Sequence, residues 1–436
     1  MLHFVFPPQI QALIDSGIYE IVRNKTTGEL LGIVRDKATG KFVKVAIAAV
    51  ENGIGINPLM APVQIATSVV TTGAQMAQTH LGFQKTYRML EALQSSVEVL
   101  QSTTAVVGVG VAGGVVLSAV NLWQIMKLRE DVKQLRLEVK GGFIDLRKAL
   151  QNQGKAIIDR IDEMENNITF QSHRNILIQA YGLFSQAINC LKFAMKYDDL
   201  NQRNDQINIA KGMLFKALAA YDNPLLLSDA CAAGFLRRRE CVWAINQAIT
   251  MTDQLQGASE VVSHRLYELQ NKIRQDTLDV IELCESEDEL KFIFPEIIRI
   301  KNHDLAVLQS WQNHVDWMRS LSPEELKELN NANLASSEIP NSQDTIENVT
   351  ALVDLPEQLL YDKLIQKSHF LSLRDQLRFS INPNLRRNYE SYISERATAS
   401  DYKALAPSNW QAITDLTVAN LYWYFKVQQG AKEALV

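Results

Sequence analysis

From Val99 to Met126 the chain runs through 28 consecutive residues without a charged side chain. The depletion reaches further back, since between Asn52 and Met126 only Lys85, Arg88, Glu91 and Glu98 are charged. Over all 436 residues the charged fraction is 21%, so this stretch is set apart from whatever faces water elsewhere. At about 1.5 Å per residue, a helix of that length crosses the roughly 30 Å hydrocarbon layer of a bilayer. Its most apolar part, Ala105 to Val120, is built on valine and glycine. In water each interior glycine costs a helix about 1 kcal/mol relative to alanine, and valine adds no compensating propensity. The order has to come from outside the helix: from lipid, where the backbone has no other hydrogen-bonding partner, or from the packed interior of a bundle.

The glycine spacing separates the uses of this segment. Gly108, Gly110 and Gly113 match G-x-G-x-x-G, but a dinucleotide site needs a second apolar strand ending in an acid. Here the following "KLREDVKQLRLEV" is charged and helical in period, so no cofactor is expected. The same glycines suit close helix packing: Gly110 and Gly114 form G-x-x-x-G, and Gly108 with Ala112 and Gly114 with Ser118 continue the small-residue spacing. Trp123 closes the apolar run ahead of Lys127 and Arg129, the order of an interfacial aromatic and snorkelling cations. Gly108, Gly110, Ala112, Gly113, Gly114, Ser118 and Trp123 are the candidate membrane-inserting or helix-packing residues. Insertion, permanent or conditional, is the favoured use and burial in a core the alternative.

The charged half is the most regular helical pattern in the chain. Leu128, Val132, Leu135, Val139, Leu146 and Leu150 hold a mostly three-four spacing that continues to Ile168, the seam of a coiled coil. Unbroken from Ala119 to Phe170, such a rod is about 75 Å long; Gly141-Gly142 and Gly154 are the places for a kink or hinge. The seam needs a partner helix, from the same bundle or from a second copy of the chain.

Twelve residues separate "IVRNKTTGEL" (21–30) from "IVRDKATGKF" (33–42). Each copy sets a β-branched pair before a Thr-Gly turn, and "KFVKVAIA" alternates again, which predicts a three-stranded antiparallel meander. Three short strands do not stand alone in water and must lie against helices or another sheet. The rest reads as helix after helix: 175–197 with 206–221 as an antiparallel pair, then 232–256, 260–285 and 289–321. Ser322-Pro323-Glu324-Glu325 starts one more helix as a capping box. "NNANLASSEIPNSQDT" (330–345) is the linker candidate, and helical pattern returns after it.

The expected fold class is therefore all-α: an elongated helical bundle with a long coiled-coil-like helix, a glycine-rich apolar segment and a small N-terminal β-meander. The organisation is a meander at 1–50, the apolar segments and heptad helix at 51–170, a helical domain at 171–330, a linker at 331–346 and C-terminal helices at 347–436.

Chemistry-bearing patterns are scarce. The seven histidines form no H-E-x-x-H, no Walker A or G-x-S-x-G sequence is present, and Cys190, Cys231, Cys241 and Cys284 form no C-x-x-C; neither a metal site nor an enzyme is expected. A formal net charge of −5 supplies no basic field for nucleic acid. Arg237, Arg238 and Arg239 read as a solvated face, with anionic headgroups or a protein partner as the alternative. Tyr422 to Phe425, four consecutive aromatics, read as residues buried between helices. "MLHFVFPPQIQ" lacks the basic region of a secretory signal, so a cytoplasmic protein, conditionally membrane-associated, is expected.

Long helices, a glycine- and valine-rich element and a small β piece together resemble, over residues 1 to about 170, the cytolysin A-type α-helical pore-forming toxins. The resemblance implies an apolar element packed away in the soluble form and released to insert during assembly. From it follows the functional expectation of a membrane-perturbing protein whose partners are a lipid membrane, further copies of itself and an activating protein. The alternative is a cytoplasmic helical scaffold that binds proteins through its seam and its C-terminal domain.

Overall fold

The computed structural model describes residues 2–51, 139–140, 143–144, 168–325 and 356–433, apart from residues 7, 26, 46–47, 195, 198, 227–231, 400–401 and 403–404 within those spans. Helix makes up 76% of them, and the protein is all-α with a small β-meander.

The sequence repeat is a repeated turn. Strands β2 (Tyr19–Arg23), β3 (Leu30–Asp36) and β4 (Phe42–Val45) form an antiparallel sheet in that order, with Ile21 opposite Val34 and Ile33 opposite Val45. In the first turn Asn24 accepts from the Gly28 N–H at 2.8 Å through its carbonyl and from the Thr27 N–H at 3.3 Å through its side chain. In the second, Asp36 accepts from Gly40 at 2.8 Å in the same way, and its carboxylate takes the N–H groups of Ala38 and Thr39. Gly28 and Gly40 have φ of 72° and 73°, a conformation costly for any residue with a Cβ. Helix α1 (Pro8–Asp15) and a second sheet, β1 (Leu2–Val5) paired antiparallel with β5 (Ala48–Glu51), accompany the meander. Neither is legible in the prolines and short apolar runs that encode them.

β3 is buried on both faces. Leu31 and Ile33 point with Val22 and Phe42 into the helical core, while Val34 meets Phe6, Ile10 and Ile14. The alternation of a strand thus clamps the meander between α1 and the helical body.

That body is built from α2 (Ile168–Ala194), α3 (Leu200–Tyr221), α4 (Ala232–Leu255) and α5 (Ser259–Glu282), each antiparallel to the one before, followed by α6 (Glu287–Arg299), which runs on in one direction through residues 300–304 into α7 (Leu305–Ser320). Side-chain partners run in opposite order along each pair. Arg238, early in α4, reaches the last carbonyl of α3, while Gln256, just past the end of α4, reaches Asn208 near the start of α3. Trp243 meets Asp276 while Arg265 meets Asp253 between α4 and α5. The α4–α5 corner is a Schellman turn, with Gly257 at φ 75° and bonds from Ala258 N to Asp253 O and from Gly257 N to Gln254 O. Helices α8 (Pro356–Ile365), α9 (Phe370–Ile381), α10 (Asn384–Ala399) and α11 (Asp415–Glu433) complete the described residues. Tyr361, Leu373 and Leu377 join the main core, and Phe379, Ile393, Val418 and Phe425 form a second one.

Between α6 and α7 lies a feature the sequence pattern did not announce: residues Ile300–Asp304 form a single π-helical turn, with the Leu305 N–H bonded to the Ile300 carbonyl.

Candidate functional site

The residues singled out for membrane insertion or helix packing, Gly108, Gly110, Ala112, Gly113, Gly114, Ser118 and Trp123, lie outside the described residues, as do Leu128, Val132, Leu135, Leu146 and Leu150 of the seam. Val139 is described, and it is not on a helix. It opens strand β6 (Val139–Lys140), which pairs antiparallel with β7 (Phe143–Ile144), Val139 opposite Ile144 and Lys140 opposite Phe143. The heptad pattern therefore does not continue as helix through this point. The sequence between the two strands, Gly141-Gly142, is poor in helix propensity by about 2 kcal/mol relative to alanine. β7 lies against α2.

Within the described residues the densest buried polar cluster surrounds Arg299, which is 1% exposed. Its guanidinium donates from Nη2 to Glu240 Oε1 at 2.6 Å and to Glu296 Oε2 at 2.9 Å, and from Nη1 to Asp304 Oδ2 at 2.8 Å. Glu240 and Asp304 are likewise buried. The cluster joins α4, α6 and the π turn. Five residues along an α-helix lie about 140° apart around the axis, so Arg299 and Asp304 face each other because of the π turn. These residues are not among the candidates that sequence motifs mark. The signal was Glu296 and Arg299 embedded in the apolar run "FIFPEIIRI", where an unpaired charge is prohibitively expensive.

Immediately after the π turn, α7 carries the surface that receives the meander. His314, 2% exposed, donates from Nε2 to the Leu31 carbonyl. Asn24 donates from Nδ2 to the Asn313 carbonyl at 3.3 Å, and Trp317 meets Phe42 edge-on at 5.7 Å between centroids. Other faces of the same helix are held by α4 and α5. Trp311 donates to Gln254 at 2.7 Å, Ser263 to Asp316 at 2.6 Å and Gln270 to Gln312 at 2.6 Å.

Two of the three consecutive arginines correct the expectation of a solvated face. Arg238 is 7% exposed and donates to the carbonyls of Tyr221, Asn223 and Leu226, closing the end of α3 and the turn after it. Burial, with Arg239 alongside, pushes its pKa below the ordinary arginine value. Arg239 pairs with Asp222 at 2.7 Å and Asp276 at 3.5 Å and lies over the Phe235 ring. Polar carbonyls at a helix end need such a donor once water is excluded, and the count of arginines alone does not reveal that. The aromatic run packs largely between helices: Tyr422 meets Tyr389 in a tilted contact with ring centroids 4.1 Å apart, Trp423 donates to the buried Asp375 at 2.8 Å, and Phe425 is buried, while Tyr424 faces outward.

Burial pushes the Cys284 thiol up to about 12, and no disulfide links Cys190, Cys241 and Cys284. Among the described residues no group of three His, Cys, Asp or Glu side chains is placed to hold a metal ion. No described helix is long and apolar enough to cross a membrane. The outer surface of the helical array exposes several large apolar side chains, Phe193 at 61% and Leu225 at 78% among them.

Comparison with protein-family models, with curated proteins and with solved structures returns no match.

Proposed function

We propose that this chain is a membrane-perturbing protein that folds in water and inserts its glycine-rich helix, residues 99–126, when copies assemble. The observation that carries the reading is the 28-residue uncharged run with its small-residue spacing and its Trp123, Lys127, Arg129 border. The resemblance to the cytolysin A-type toxins supports it at the level of layout. A segment of this composition saves apolar exposure in a bundle or in lipid alike, at about 25 cal/mol per Å². A trigger worth a few kcal/mol is enough to shift such a balance.

Dye release from liposomes by the full chain, native and with Val109→Asp and Val116→Asp, tests the reading. Leakage by the native chain, abolished in variants whose helical circular dichroism is unchanged, is the expected outcome. Native protein that neither binds nor permeabilises vesicles of any headgroup composition sinks it.

A helical scaffold is the second reading, favoured by the exposed Phe193, Leu225 and Tyr267 on the antiparallel array. It predicts that the same two substitutions unfold the protein, because in a scaffold residues 99–126 are permanent core.

A further inference from the structure

The π turn sits at a mechanical junction. Upstream, α6 is tied to α4 through Arg299 and Glu240. Downstream, α7 holds the meander through Asn313, His314 and Trp317 and is itself held by α4 and α5. A π turn has one residue more than the α-helix it interrupts and is the less stable arrangement unless side chains hold it. Here the bond from Arg299 to Asp304, five residues on, is such a hold. Returning the turn to α geometry rotates α7 by about 100° against α6 and shifts it by about 1.5 Å. Asn313, His314 and Trp317 then no longer face Asn24, Leu31 and Phe42 together. Packed helix faces have discrete settings and do not deform continuously, so the change has two states.

We propose that Ile300–Asp304 is a register switch: with Arg299 bridging Asp304, Glu240 and Glu296 the turn is π and residues 2–51 are docked, and with that bridge broken the turn relaxes to α and the meander is released. The switch stands apart from the membrane reading, whose vesicle test can fail without touching it. Where both hold, it names the step that frees the N-terminal part of the chain preceding the charge-depleted stretch.

Hydrogen exchange on the full chain, native against Asp304→Asn, tests it, since asparagine keeps the size of the side chain and loses the charge that holds the guanidinium. The expected result is at least tenfold faster exchange at Leu30–Asp36 and in the first turn of α7, with α4 and α5 as protected as in the native chain. Faster exchange in every helix alike makes the cluster an ordinary structural staple and overturns the switch, and so does unchanged exchange throughout. Deleting Asn302 in the Asp304→Asn background is the second arm: without the extra residue an α turn leaves α7 at its native rotation, so the switch has no released setting. A folded double variant in which exchange in β3 returns to the native rate supports the proposal. A double variant in which β3 still exchanges rapidly, or in which α4 and α5 lose protection, shows that release does not come from the register of the turn and overturns it.

Discussion

Single residues carry the two meander turns. At Gly40 an added Cβ meets no atom within 4 Å, so Gly40→Ala is a measure of backbone conformation alone. A left-handed residue with a side chain costs about 1–2 kcal/mol, and urea unfolding of the variant is expected to show a loss of that size. Asp36 works beside it. The Thr39 N–H, opposed by desolvation and joined by the Thr39 hydroxyl and the Ala38 N–H, holds its carboxyl below the ordinary value of 3.8. A depressed carboxylate contributes stability that is present above its unfolded pKa and disappears as pH falls through the folded one. Glu325 is depressed in the same direction, chiefly by the Ser322 N–H it caps. Acidification from near pH 4 downward is therefore expected to loosen the turn at 36–41 and the cap at 322–325 while the buried helices hold. Residue-resolved NMR titration checks this; simultaneous loss of helix signals contradicts it. Cyclic similarity between the two turns was legible as a twelve-residue repeat. The partners of Arg299 were not, because a charge in an apolar run shows that a partner is needed without naming it.

At the scale of elements, helix ends explain more than helix middles. Ser286 caps α6 by accepting from the Glu289 N–H at 3.2 Å, and Glu289 in turn accepts from Glu285 at 3.0 Å and from Ala232, the first residue of α4, at 3.2 Å. One carboxylate thus serves two N-termini, where negative charge suits the helix dipole. The C-terminal end of α3 depends on Arg238 in the same way. Arg238→Met keeps the length of the stem but leaves the carbonyls of Tyr221, Asn223 and Leu226 without this donor, and each buried, unsatisfied polar group costs about 1–3 kcal/mol. Thermal unfolding of that variant is expected to shift down by several degrees; an unchanged midpoint means water replaces the guanidinium. The spans of α4 and α5 were legible in helical pattern as 232–256 and 260–285, and 289–321 read as one helix where α6 and α7 stand. The π turn was not legible, since its extra residue leaves the apolar pattern nearly intact and shows only as a phase slip between α6 and α7.

The described residues join a helical body and a docked meander, and the charge-depleted stretch, whose role is a proposal, lies outside them. If residues 99–126 serve a membrane, removing them leaves the body folded, and circular dichroism with thermal unfolding of the deletion variant is expected to match the native chain closely. A collapse of the transition assigns the stretch to the core. Fold class was determined by the sequence itself, because hydrophobic period and turn residues act locally: they mark the described helices after residue 168 and a meander before residue 50. Which side of β3 meets α7, which carboxylates enclose Arg299, and that Arg238 closes a helix end instead of facing water were decided only in three dimensions. Desolvation and hydrogen-bond satisfaction depend on neighbours brought together from as far apart as Leu31 and His314, and no local pattern in the chain encodes those neighbours.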